Sequence, residues 1–310
     1  MDRRDHLDWA AVAIIIAICA SWGLQQVAIK VGNVGIPPIL HAGLRSIGAL
    51  LLMCLWAKFR RIRLFERDGS LRAGLCVGIL FAAEFFFLYT GLSFTSASRS
   101  VVLQYTAPLF TMGGAHLFIP NEKLGPSRVL GTICAFGGLL VVFSGAFGIS
   151  EEGRRVGDIL VLLSAILWAA TTVTIKATVL MHVSPHKVLF YQLATSAILL
   201  PLVSMCLGDG VPPHWSLISI LCLVYETVGV AFVSYLVWFW MVHRYPAATL
   251  SNFTLLTPLF GVVFGDVLLG DPVSLRQWVA LLLVVLGLFL ANRPQQRILK
   301  PVGERVLHDP

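Results

Sequence analysis

Ser21-Trp22-Gly23, with Lys30 eight residues after the tryptophan, returns as Leu167-Trp168-Ala169 with Lys176, an offset of 146 residues. Thr106-Ala107-Pro108-Leu109-Phe110 returns as Leu256-Thr257-Pro258-Leu259-Phe260 at an offset of 150, and Asn121-Glu122-Lys123-Leu124 as Gly270-Asp271-Pro272-Val273 at 149. So small a drift over half a chain marks a duplication. Around these markers run ten apolar stretches, near 9–30, 36–57, 71–92, 97–119, 125–146, 157–178, 185–206, 215–241, 246–268 and 273–292. Each is about the 20 residues that a helix needs to cross hydrocarbon. Five spans fall in each copy, and an odd number of crossings sends the second copy into the membrane from the opposite side. The expectation is an all-α membrane protein of ten transmembrane helices in two inverted five-helix repeats. The units are a tail at 1–8, a first repeat at 9–146, a second at 157–292 and a tail at 293–310. Inverted repeats place a binding site near the midplane and permit alternating access.

Composition agrees. Of 310 residues, 57% are apolar and 13% charged, against roughly 45–50% and about 25% in soluble domains. That excess excludes an ordinary soluble enzyme and a nucleic-acid binder. It makes the lipid bilayer the first partner. The net charge of +7 reports orientation: with the N-terminus inside, sixteen Lys and Arg fall on inside segments and four outside. The positive-inside rule then places both tails in the cytoplasm. The apolar run after Arg3 and Arg4 is too long for a signal peptide and no A-x-A site follows it. The six cysteines sit within apolar runs without metal or redox spacing. No G-x4-G-K-[ST] loop or H-E-x-x-H is present, so neither an ATP-driven pump nor a metal site is expected, and no cofactor is called for.

The polar residues inside the spans carry the function. Trp22, Gln25, Gln26 and Lys30 recur at helical spacing on one face, as do Trp168, Thr171, Thr172 and Lys176. Such stripes suit a cavity wall with flat rings and hydrogen-bond partners; as plain interhelical contacts they would serve packing alone. Lys30 and Lys176, near helix ends, are expected to snorkel to the headgroups. Glu84 and Glu226 are the carboxylates well inside spans. An intramembrane charge is costly and needs a partner, a wet cavity or a proton. Both are therefore substrate-binding and proton-coupling candidates. Glu84 lies in Phe81-Ala82-Ala83-Glu84-Phe85-Phe86-Phe87, an apolar setting suited to a group that exchanges a proton or binds an amine. Arg45 is expected to be paired internally in a packing role, and Arg99 to stand at an outer entrance. Tyr105 and Asn252 are further cavity candidates. Pro108 and Pro258 each remove an in-helix hydrogen bond, giving a pair of symmetric hinges.

Trp22-Gly23 with Lys30, Arg45 after Pro37-Pro38, Thr95-Ser96-Ala97 leading to Tyr105-Thr106-Ala107-Pro108, and Ala247-Ala248 leading to Pro258-Leu259-Phe260 together resemble the drug/metabolite transporter superfamily in its ten-helix, EamA-type form. The resemblance covers roughly 9–292. It departs from the pattern at the short Gly-Glu element, which reads Asn121-Glu122 and Gly270-Asp271 here. It implies a secondary transporter in the cell's inner (cytoplasmic) membrane, a monomer or weak dimer. The implied substrates are small amphiphilic metabolites such as amino acids or aromatic and cationic compounds, exported with proton coupling or by exchange. Import of a vitamin-like aromatic such as a flavin is the alternative. A channel or scaffold, and an intramembrane enzyme, are the rival classes.

Overall fold

Asp8 accepts a hydrogen bond from the Ala11 amide (2.8 Å) and so opens helix α1, Trp9–Gly32. Later helices begin by the same local chemistry. Pro38 occupies the first turn of α2 (Pro38–Arg60) and Pro185 that of α7 (Pro185–Cys206), where a missing N–H costs nothing. The Ser96, Ser184 and Ser216 hydroxyls cap α4 (Ala97–Gln104), α7 and α8 (Leu217–Val224). The remaining helices are α3 (Leu71–Leu92), α5 (Ala107–Phe118), α6 (Glu152–Ala177), α9 (Tyr235–Arg244), α10 (Leu256–Leu269) and α11 (Leu275–Ala291). The structure is a computed structural model. It describes residues 8–66, 68–119, 129–131, 133–134, 137–138, 140–141, 152–209, 215–245, 250, 253–254, 256–271 and 273–291. All described elements are helical.

Six described helices are long and apolar enough to cross a membrane: Trp9–Gly32, Pro38–Arg60, Leu71–Leu92, Gly153–Ala177, Pro185–Cys206 and Leu217–Trp238. Leu256–Leu269 and Leu275–Gly287 are shorter apolar helices. Leu51, Leu55, Phe59, Ile79, Ile198 and Leu282 are exposed. A surface of that kind belongs in lipid, where backbone groups must bond within their own segment and helices do so.

Two spans depart from regular winding. Between α8 and α9 the backbone is π-wound over Tyr225–Ser234, a winding that usually marks a functional position. The expected fourth span is broken into α4 and α5 at Tyr105-Thr106. Pro108 therefore lies in the first turn of α5, and Pro258 is the third residue of α10. The expected mid-helix kink is corrected at both. A proline in the first turn removes no intrahelical bond, so each begins a helical segment rather than bending one.

Helices from the two halves of the chain interlock. α1 lies against α10, α2 against α7, and α3 against both α6 and α7; α5 lies against α6, and α1 and α2 against the π stretch. Small residues permit these approaches. A Cβ on Gly78 would come 2.2 Å from Thr195 Oγ1, and one on Gly261 would come 2.7 Å from Val101.

Candidate functional site

The most concentrated polar chemistry lies where α1, α2, α3 and the π stretch meet. Glu226, the second residue of the π stretch, is fully buried. It accepts a hydrogen bond from the Tyr89 hydroxyl, and its Oε1 lies 3.6 Å from His41 Nε2. His41 is fully buried, four residues before Arg45 on the same face of α2. Its Nδ1 lies 3.0 Å from Asn33 Oδ1, while Asn33 Nδ2 donates to the Tyr89 carbonyl (2.9 Å). The imidazole meets the Tyr89 ring edge-on, with centroids 5.1 Å apart.

Arg45 is 1% exposed, and its guanidinium carbon stands 4.2 Å from the Phe85 ring centroid. The expected direct ion pair is corrected: among the described residues, Nε and Nη1 have no hydrogen-bond partner. Glu84 and Glu226 are within its electrostatic reach. Glu84 is 5% exposed. Two buried carboxylates thus lie within electrostatic reach of one cation with unmet donors, inside apolar helices. A buried guanidinium with open N–H groups calls for an anionic or hydrogen-bonding ligand, or for bridging water.

Trp22 Nε1 donates to Ser234 Oγ (2.8 Å), and the indole packs beside Tyr235 and Trp238. The Gln26 carbonyl oxygen accepts from Ser100 (3.0 Å), and Gln25 is half-buried. Trp168 and Tyr105 meet edge-on with centroids 6.1 Å apart, as a second aromatic cluster. The Thr172 hydroxyl bonds to the Trp168 carbonyl (3.1 Å), a back-bond within its own helix that leaves the side chain less to offer a ligand. Asn252 lies outside the described residues. Lys30 reaches the carbonyls of Leu92 and Thr95 rather than the headgroups, whereas Lys176 is exposed.

Sequence reasoning missed His41, Tyr89, Asn33 and Asp158. Asp158 is fully buried, accepts from Thr95 Oγ1 (2.6 Å) and pairs with Arg99 through Nε (3.3 Å) and Nη2. Arg99, expected at an entrance, is thereby held between α4 and α6. Beside it, Asp271 Oδ2 accepts from the Ser98 amide and hydroxyl, both at 3.1 Å. His41 carried a legible signal, a titratable residue one turn before Arg45; Tyr89 and Asn33 carried none.

The EamA-like transporter family matches the chain twice, at residues 9–144 and 155–293. The uncharacterized transporter YoaV of Bacillus subtilis is 26% identical over 278 residues, covering 89% of this chain and 94% of its own. A probable amino-acid metabolite efflux pump of Salmonella typhimurium is 29% identical over 302 residues, covering 94% and 95%. The uncharacterized inner membrane transporter YedA of Escherichia coli is 24% identical over 299 residues, covering 95% of each chain. A solved crystal structure superposes with a TM-score of 0.66 at 20% identity, over 92% of this chain and 98% of its own, a likeness of fold.

Proposed function

The chain belongs to the EamA-like transporter family, and from that premise we propose a secondary-active exporter of small amphiphilic metabolites, amino acids foremost, working by proton-coupled alternating access. The observation that carries this reading is Arg45, buried with open donors and within electrostatic reach of Glu84 and Glu226. A zwitterion presents the complementary pair of charges: its carboxylate to Arg45, its ammonium to Glu84. Trp22 and Trp168, with Gln25, Gln26, Tyr105 and Thr172, are the candidates for the surrounding walls. The name of the Salmonella typhimurium relative supports the substrate class, and that of YedA supports the inner membrane as the location.

The helix pairings support the repeat, with units at 9–146 and 157–292, and the distribution of Lys and Arg supports two cytoplasmic tails. A two-fold exchange of halves turns the α1–α10 contact into α5–α6, and the α3–α7 contact into that of the π stretch with α2; all four occur. The breaks before Pro108 and Pro258 give each half an equivalent hinge. The working unit is a monomer or weak dimer in the lipid bilayer.

Purified protein in proteoliposomes, screened against radiolabelled amino acids, organic cations and riboflavin with and without a pH gradient, tests this reading. Gradient-driven flux of an amino acid, abolished in Glu84→Gln with the protein still folded, is expected. Flux of riboflavin alone would favour the import alternative. Wild-type flux and pH dependence in Glu84→Gln would overturn the role given to that residue.

A further inference from the structure

Glu226 and Glu84 differ in their surroundings. The Glu84 carboxylate has no hydrogen bond or ion pair among the described residues and stands beside Arg45. Glu226 is enclosed by Tyr89 and His41. From His41 a line of polar atoms continues outward: Nδ1 to Asn33 Oδ1 (3.0 Å), then Asn33 Nδ2 to Ser93 Oγ (3.5 Å), and Ser93 is exposed. We propose that His41 is the proton conduit of this transporter, joining Glu226 to the aqueous face at the α1–α2 connection, while Glu84 and Arg45 remain for substrate. The proposal rests on the proton-coupled reading above and divides its two carboxylates by task.

The geometry also fixes which nitrogen does what. Asn33 gives its Nδ2 hydrogen to the Tyr89 carbonyl (2.9 Å), so its oxygen faces the imidazole. In the loaded state His41 therefore carries its hydrogen on Nδ1, donated to Asn33, and turns the Nε2 lone pair to Glu226. His41 Nε2 and Glu226 Oε1 are both buried and otherwise unpartnered. A shared proton is the group that satisfies both. Loading starts with a Glu226 carboxylate and His41 protonated on Nε2. A hydronium proton, reaching Nδ1 when the Asn33 amide turns aside, adds there and forms the imidazolium, which then donates to the returning Asn33 oxygen. The Nε2 proton then passes to Glu226 Oε1, leaving a neutral ring with its hydrogen on Nδ1. One proton enters and one O–H bond forms; the reverse sequence unloads it.

The ring has a seat of its own. A Cβ on Gly32 would fall 2.2 Å from His41 Cε1, so α1 leaves space there that no other residue would. The charged and titratable groups facing the pair are Arg45 on α2, Tyr89 on α3, and Tyr225 and Cys222 beside Glu226; Glu84 on α3 and Tyr235 on α9 are within reach of Arg45. From α1 the nearest cation is Lys30, bonded to the Leu92 and Thr95 carbonyls. α7, whose Pro201 lies against Gly43, brings no titratable side chain between Leu193 and Met205.

Infrared spectroscopy of the reconstituted full-length protein during pH jumps tests the proposal without a substrate. The protonated-carboxyl band that disappears in Glu226→Gln belongs to Glu226. In His41→Gln this band is expected to rise about 100-fold more slowly after acidification, the scale of a lost general acid–base step. Asn33→Ala, which keeps the ring, is expected to slow it to a smaller extent. Wild-type rates in both variants would overturn the conduit and leave the proton-coupled reading standing. Absence of any Glu226 band at every pH would overturn proton loading at this site altogether. If His41→Gln fails to elute as a folded species, Asn33→Ala decides, its slowed band supporting the conduit and a wild-type rate refuting it.

Discussion

Asp158→Asn removes the charge from one member of a buried ion pair and leaves Arg99, 8% exposed, without it. The carboxylate accepts from Thr95 and from two Arg99 nitrogens, and asparagine offers only one acceptor oxygen for these three donors. Removing one partner of a buried pair costs about 3–5 kcal/mol, chiefly from the charge left behind. The Thr95 bond survives on the asparagine oxygen, so the lower end of that range, about 3 kcal/mol, is expected. Equilibrium unfolding in mixed detergent micelles, followed by tryptophan fluorescence, reads the loss. Arg99→Met combined with Asp158→Leu should recover much of it, because the buried charge goes with its partner. A loss under about 0.5 kcal/mol in Asp158→Asn, the scale of an exposed pair, would refute the reasoning and return Arg99 to an entrance role.

Asp68 lies outside the spans in the α2–α3 connection, where the Lys187 ammonium (2.8 Å) and the Ser70 hydroxyl and amide hold its carboxyl well below the usual carboxylate range. Its contribution is then present above the unfolded value near 3.9 and lost as pH falls through the folded one. Asp68→Asn should lower thermal stability modestly at pH 7, and the gap to wild type should narrow steadily below about pH 4. Trp22→Phe keeps a ring beside Tyr235 and Trp238 but loses the bond to Ser234, at about 0.5–1.5 kcal/mol, read in the same micelle titration. Gly78→Ala drives a methyl against Thr195 and should cost about 1–3 kcal/mol in that titration, with Thr195→Ala relieving it.

The six long spans were legible because lipid imposes one length and one composition on each, and the sequence repeat because Trp22, Lys30 and Pro108 have partners at nearly one offset. Glu84 and Glu226 were legible because a carboxylate in an apolar run contradicts its surroundings. Their different surroundings were not. They depend on which helices meet: Tyr89 and His41 reach Glu226 across α3 and α2, and no local pattern encodes that meeting. Asp158 was passed over because its partners, Thr95 and Arg99, lie about sixty residues away in the chain. Pro108 marked the right place with the wrong geometry, since a proline looks alike in a kink and in a first turn. The two Trp-centred stripes meet different partners. Gln26 finds a cross-helix partner in Ser100, whereas Thr172 bonds within its own helix, an outcome that spacing cannot distinguish.

The π-wound stretch also has a metrical consequence. The run from Leu217 to Arg244 comprises eight α, ten π and ten α residues. Wound wholly as an α-helix it would be roughly 42 Å long, against about 30 Å of hydrocarbon. Wider turns advance less per residue, so the π stretch takes up a part of that excess, and tilt or projection beyond the hydrocarbon takes up the rest.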